Sequence, residues 1–170
     1  MHFSAPLALL LSLTGALALP TKRATGTSAA VLTVQTYNDF SVSSGVAGNA
    51  LAETNAKFPI DQNNLAGVAA SDLAIIAAAA QVSEQAETAT GGFNTAIAAA
   101  STTALQNGKI KNKVLKLQTD VMRIQIEVAQ GNAAAGSQLA AQQKKLATNV
   151  ALDEAAAGQA ATAISFAGSD

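Results

Sequence analysis

Apolar residues recur at spacings of three and four along four long stretches of the chain, which predicts four helical segments. Alanine dominates these stretches and has the highest intrinsic helix propensity. The predicted segments cover residues 30–57, 62–89, 93–130 and 133–165. Long amphipathic helices joined by short connections are typical of antiparallel bundles. The pattern therefore predicts an all-α fold, an antiparallel up-and-down bundle of four Ala-rich helices, or of five if the third segment is interrupted.

Helix-breaking and capping residues set the predicted ends of these segments. Pro59 ends the first, because the residue before proline is disfavoured in the α region, and Asp61 is expected to cap the second. Gly91-Gly92 separates the second segment from the third. Asn107-Gly108 is expected to break or kink the third. In the first segment, Tyr37, Phe40 and Phe58 are predicted to share one helix face.

The second half of the third segment is apolar around more than half of its circumference. Its main stripe is accompanied by apolar residues that lie off that stripe, such as Met122. Such a helix is either the most buried one or one that uses its second apolar face to bind something else. The candidate surface-binding residues are Ile110, Val114, Leu115, Met122 and Ile126.

Charged residues are sparse, and the lysines cluster just before this apolar helix. Four of them lie between positions 109 and 116, and Lys109, Lys113 and Lys116 share one helical face. A basic face beside apolar residues can lie on an anionic surface; the alternative is a solvated face at the start of a helix. The acidic residues Asp72, Glu84 and Glu87 are expected to lie in solvent.

The first 29 residues are expected to lie outside the folded domain. Residues 1–18 have the apolar centre and the small-x-small end, at Ala18, of a secretory signal peptide. Residues 19–23 predict a pro-segment that ends at Lys22-Arg23, the alternative being a charged flank. Residues 24–29 would form a flexible lead-in, and residues 30–170 a single domain. The product is expected to be secreted, either extracellular or in the cell wall.

Composition excludes several chemistries. The chain has 41 alanines among 170 residues, no cysteine, no tryptophan and one histidine, His2, which falls in the predicted signal peptide. The mature chain would therefore lack an imidazole base, a thiol nucleophile and a nitrogen–sulfur metal site. No glycine-rich phosphate loop is present. The carboxylate pairs Glu84/Glu87 and Asp153/Glu154 have no aromatic platform for a sugar ring. We expect no enzymatic activity and no cofactor.

Charge and hydropathy limit the partners. Without Lys22 and Arg23, 8 basic residues stand against 11 acidic ones, a net charge of −3. Nucleic-acid binding needs clustered net positive charge, so no nucleic-acid partner is expected. No second apolar stretch reaches the roughly 20 residues of a transmembrane helix.

The short signal, the Leu19–Arg23 processing segment and the cysteine-free, Ala/Ser/Thr-rich helical body together resemble those of fungal small secreted proteins. Within that group the chain is similar to the hydrophobic surface-binding and cell-wall mannoprotein type. The resemblance implies a non-catalytic protein that adsorbs to hydrophobic or cell-wall surfaces, and it carries over no site residue. Two alternatives stay open: an effector that binds a host or wall protein through a helix face, and a small lipid carrier with a cavity between its helices.

Overall fold

The computed structural model describes residues 28–168, and six α-helices account for most of that range. The helices are α1 (Tyr37–Phe40), α2 (Ala50–Lys57), α3 (Ala70–Thr88), α4 (Phe93–Ala99), α5 (Thr103–Ala129) and α6 (Leu139–Ala155). Two 3₁₀ turns cover Leu65–Gly67 and Ala133–Gln138, and the strands β1 (Gly45–Val46) and β2 (Ala160–Ala161) pair antiparallel. The all-α prediction is confirmed. The predicted signal and pro-segment, with Ala18, Lys22 and Arg23, lie outside the described residues.

Helix α5 is the centre of the bundle, and α2, α3 and α6 pack around it. It runs antiparallel to α3: Asn112 near its start donates to the Ser83 carbonyl late in α3, and Gln130 after its end donates to the Val68 carbonyl before α3 begins. Thr102 caps its N-terminus by accepting from the Leu105 N–H. Among its large side chains, the fully buried ones include Val114, Leu115, Met122, Ile124 and Ile126. The apolar circumference seen in the sequence thus marks the most buried helix.

The prediction of one helix over residues 30–57 is wrong. Only α1 and α2 are helical there, and β1 lies between them. Gly45 and Gly48 have φ of +83° and +113°, a left-handed conformation that a continuous right-handed helix excludes. A Cβ at Gly48 would lie 2.8 Å from the Ala157 Cβ, so the glycine also allows close packing.

The second helix also begins later than predicted. It starts at Ala70 and not after Asp61, whose carboxylate instead accepts from the Asn63 N–H in a turn. Its predicted end before Gly91-Gly92 is confirmed, since α3 stops at Thr88.

The third segment is interrupted, but not at Asn107-Gly108. The break lies between α4 and α5, before Thr102, and Asn107 and Gly108 are buried inside α5. A Cβ at Gly108 would overlap the Thr162 carbonyl oxygen, so this glycine permits a close approach of two chain segments. The fourth helix ends at Ala155 and not near residue 165, because Gly158, with φ of +84°, follows it.

Within residues 28–168, no helix has the length and apolar character needed to cross a membrane.

Candidate ligand cavity

A cavity of about 750 Å³ lies beside the aromatic part of the core. We name residues 28–36 the strap and residues 162–168 the tail. The walls come from residues 32–36 of the strap, from α1, from the end of α2, from one face of α3 and from residues 166–168 of the tail. Apolar side chains dominate the lining, including Leu32, Phe40, Phe58, Ile75, Val82 and Phe166. Small-molecule sites are typically concave, mostly apolar and of about 300–1,000 Å³.

The aromatic wall is a chain of edge-to-face contacts. The ring of Tyr37 lies 5.7 Å from that of Phe40 and 5.9 Å from that of Phe166, and the rings of Phe40 and Phe58 are 5.8 Å apart. The Tyr37 hydroxyl donates to the Asn112 side-chain oxygen at 2.8 Å. Burial raises the pKa of Tyr37, against the opposing effect of the Ser41 and Ser43 hydroxyls. The phenol therefore stays neutral and anchors this wall to α5.

The strap is fixed by the carboxylate of Asp72 in the first turn of α3. Its two oxygens accept from the backbone N–H of Val31 at 3.2 and 3.0 Å, and one of them accepts from the N–H of Leu32 at 3.0 Å. The Ser28 N–H donates to the Gly67 carbonyl at 2.6 Å. The expectation that Asp72 lies in solvent is wrong, because Asp72 is buried and its carboxylate accepts the hydrogen bonds that hold the strap.

The tail closes the opposite side of the cavity. The Phe166 N–H donates to the side-chain oxygen of Asn38 at 3.1 Å, and the Phe166 ring is buried. A Cβ at Gly168 would lie 2.7 Å from a Val82 methyl, so the tail packs tightly on α3.

Two charged side chains, Asp39 and Lys57, line the cavity in the described part of the chain. The Asp39 carboxylate accepts from the Thr36 hydroxyl at 2.6 Å and the Thr36 N–H at 3.2 Å. The Thr36 hydroxyl and N–H lower the pKa of Asp39, and the charge of Lys57 adds to this effect. Lys57 donates from Nζ to the backbone carbonyl of Asp39 at 2.8 Å. Both charged residues are exposed, so they stand at the mouth and leave the interior apolar.

The candidate surface-binding residues are part of the core in this structure. Val114, Leu115, Met122 and Ile126 are at most 1% exposed, and only Ile110 is partly exposed. They form no outer face of the closed bundle. A surface could reach them only after α5 separates from its neighbours.

The lysine face, Lys109, Lys113 and Lys116, does not lie free in solvent. All three form ion pairs with Glu87 on α3, at 3.8, 3.2 and 3.1 Å, and Lys116 also pairs with Glu84. Glu87 is buried, contrary to expectation. Burial opposes its ionisation, but the hydrogen bonds and charges of Lys116 and Lys113 prevail and lower its pKa. The ion pairs of the lysine face thus join α5 to α3 along a seam between the two helices.

The two carboxylates of each predicted pair lie in different environments, Glu84 being exposed and Glu87 buried. Glu87 is neutralised by lysines, while Asp153 is buried and Glu154 is exposed, so the latter two carboxylates occupy different environments. Among residues 28–168, no three His, Cys, Asp or Glu side chains are grouped so that they could hold a metal ion.

The sequence predicts a cavity only in the lipid-carrier alternative and does not indicate where it lies. The aromatic spacing correctly places Tyr37, Phe40 and Phe58 together, but on a helix that does not exist, and it assigns no role to Phe166. The concentration of four of the few aromatic residues at the two ends of the domain was the available signal. The anchoring of the strap by Asp72 had no local signal, since 40 residues separate Asp72 from Leu32.

A family model described as "Domain of unknown function (DUF8454)" matches residues 32–165. The chain belongs to this family. The matched part of the DUF8454 domain includes all six helices, both strands and most of the residues that line the cavity. No curated protein and no solved structure matches the chain.

Proposed function

We propose that the protein is a secreted, non-catalytic binding protein that holds a small apolar or amphipathic molecule in the cavity beside α3. The observation that carries this proposal is the cavity of about 750 Å³ with its wall of aromatic and aliphatic side chains. A ligand that displaces water from this apolar surface is stabilised by roughly 25 cal/mol for each Å² of apolar surface that it buries.

The arrangement of the walls supports reversible binding. The strap contacts the rest of the domain through few hydrogen bonds, chiefly those to Asp72 and Gly67. The aromatic wall, in contrast, is tied to the central helix by the Tyr37–Asn112 hydrogen bond. A ligand can therefore enter by displacing the strap, which this small set of hydrogen bonds holds, without opening the bundle core.

The test is binding of a neutral, polarity-sensitive dye such as N-phenyl-1-naphthylamine to the purified, naturally processed protein. Ala78 is exposed on the α3 face that lines the cavity, so an Ala78→Trp side chain can fill the cavity without disturbing the core. We expect this variant to lose dye affinity by at least about tenfold, the effect of 1.4 kcal/mol. Ala151→Trp, at an exposed position of α6, is the matched control and should bind as the wild type does. Absence of dye binding to the wild type, or equal binding by both variants, would refute the proposal.

A second candidate is adsorption to hydrophobic or cell-wall surfaces, which the exposed side of the strap favours. Val31 and Val34 are 59% and 87% exposed there. The double variant Val31→Ser/Val34→Ser should then bind less to hydrophobic beads, whereas Val128→Ser, at an exposed site away from the strap, should not differ from the wild type. Unchanged bead binding of the strap variant would retire this candidate.

A further inference from the structure

We propose that the ligand of the cavity is an amphipathic carboxylate whose alkyl chain occupies the apolar interior and whose carboxylate binds Lys57 Nζ at the mouth. This inference rests on the proposed function and specifies its ligand class. It is carried by the position of the two charged residues and by the different ways in which their charges are used.

The ammonium group of Lys57 has N–H donors that can bind a ligand. Its ammonium carries three N–H donors, and the structure shows one of them bound, to the neutral backbone carbonyl of Asp39. Lys57 forms no ion pair among residues 28–168, unlike Lys109, Lys111, Lys113 and Lys116. A charge-assisted hydrogen bond to a carboxylate is stronger than one to a neutral acceptor. The Asp39 carboxylate acts on Lys57 only through longer-range charge attraction, so an incoming carboxylate gives Lys57 Nζ the direct ion pair that residues 28–168 do not supply.

Asp39, in contrast, is occupied by its own helix. It accepts both the hydroxyl and the N–H of Thr36 in a capping box at the start of α1. The acidic group at the mouth is thus partly compensated, and its neighbour Lys57 is the better binding partner for a ligand head group.

The interior fixes where the head group must stay. No charged side chain other than Asp39 and Lys57 lines the cavity in residues 28–168, and burying an unpaired carboxylate there would be costly. Binding of the alkyl chain, in contrast, becomes more favourable with each methylene that is buried. An amphiphile with a single anionic end therefore fits with its chain inward and its carboxylate at the mouth.

The experiment is competition against the neutral dye by matched ligands, each below its micelle concentration. Decanoate, decanol and decylamine share a chain length and differ in head group. We expect decanoate to displace the dye at the lowest concentration and its advantage to shrink with added salt, because exposed charges are screened. Dodecanoate should bind more tightly than decanoate by about fourfold per added methylene that is buried.

Variants of Lys57 test the head-group contact directly. Lys57→Gln should weaken decanoate by up to about fivefold, the range of an exposed ion pair, and should weaken decanol and the dye by clearly less than that. Lys57→Arg should retain the preference for decanoate. Lys144→Gln, which removes an exposed lysine of α6, controls for net charge.

The outcomes separate this inference from the proposed function. If the dye does not bind, the cavity itself is not a ligand site and both fail. If the dye binds but decanol or decylamine competes as well as decanoate, or if Lys57→Gln leaves the preference intact, the carboxylate assignment alone is overturned.

Discussion

At the scale of single residues, buried polar side chains hold the backbone of the segments that are not helical. Asp72 accepts from the strap, Asn107 donates to the Ala160 carbonyl at 2.9 Å, and fully buried Lys111 donates to the carbonyls of Ser44 and Val46 at 2.9 Å each. Buried backbone N–H and C=O groups require a partner. Helical side chains supply those partners in the strap and beside the two short strands.

Asp153 gives the clearest test of this role. Its Oδ2 accepts from the Ala50 N–H at 2.8 Å, at the start of α2, where the preceding Asn49 makes no side-chain cap. Asp153→Ala leaves that buried N–H without an acceptor, which costs about 1–3 kcal/mol in the free energy of unfolding. Urea denaturation should show this loss and a smaller one for Asp153→Asn, which keeps an acceptor.

The neighbouring carboxylate is a matched control for Asp153. Glu154 is exposed on the same helix, so Glu154→Ala should change the free energy of unfolding by less than about 0.5 kcal/mol. Equal losses for the two alanine variants would mean that Asp153 contributes through helix propensity or net charge and not as a cap for α2.

At the scale of elements, the sequence predicted helical character well and helix limits poorly. The central stretch of α5 was readable because its apolar spacing persists over several turns. The predicted helix over residues 30–57 is wrong because its positive-φ glycines and β-branched residues outweigh the aromatic spacing. The predicted break at Asn107-Gly108 is wrong because Gly108 lies inside a continuous helix. A glycine can mark either a chain bend or a close contact, and the partner of Gly108 lies more than 50 residues away at Thr162. Periodicity does not carry that information, nor does it reveal the cavity.

Gly108 permits a prediction in which context reverses helix propensity. Alanine in place of glycine normally stabilises a helix interior by about 1 kcal/mol. At position 108 the added Cβ would overlap the Thr162 carbonyl oxygen, and overpacking costs about 1–3 kcal/mol. Gly108→Ala should therefore lower the free energy of unfolding by up to about 2 kcal/mol in thermal or urea denaturation, the overpacking cost less the propensity gain.

An exposed position two residues earlier provides the reference for Gly108. Gln106 lies in the same helix and is exposed, so Gln106→Ala should be more stable than Gln106→Gly by about 1 kcal/mol. If Gly108→Ala were stabilising as well, the close approach of the Thr162 carbonyl would not constrain α5.

At the scale of the whole molecule, the bundle combines a sealed core with a weakly closed side. The α3–α5 seam is fastened by buried apolar residues and by the lysine face around Glu87, while the strap and the tail only border the cavity. Alanine-rich helices approach closely but bury little area each. The ion pairs at the seam therefore matter more to the stability of this bundle than surface ion pairs usually do.

This seam makes stability depend on acid in a defined way. The pKa of Glu87 is lowered in the folded protein, so its ion pairs stabilise fully above the ordinary carboxyl pKa of about 4.3. That contribution is lost as the pH falls through the lowered folded-state pKa. The pKa of Lys116 is raised, because its hydrogen bonds to Glu84 and Glu87 outweigh burial. Its own contribution is therefore present in neutral solution and is lost at strongly alkaline pH, while in acid it disappears together with the carboxylate charges that cause it.

Glu87→Gln separates this charge effect from packing, because glutamine resembles the protonated side chain in shape. At neutral pH the variant should lose about 1.5–3 kcal/mol, the contribution of hydrogen bonds to a charged group. In urea denaturation in acid the gap between wild type and variant should close as the pH falls through the lowered folded-state pKa of Glu87, because the carboxylate then becomes protonated. Glu154→Gln, which removes an exposed carboxylate, should show little gap at either pH. A gap for Glu87→Gln that persists unchanged in acid would show that position 87 stabilises the seam by shape alone and that its lysine pairs contribute nothing.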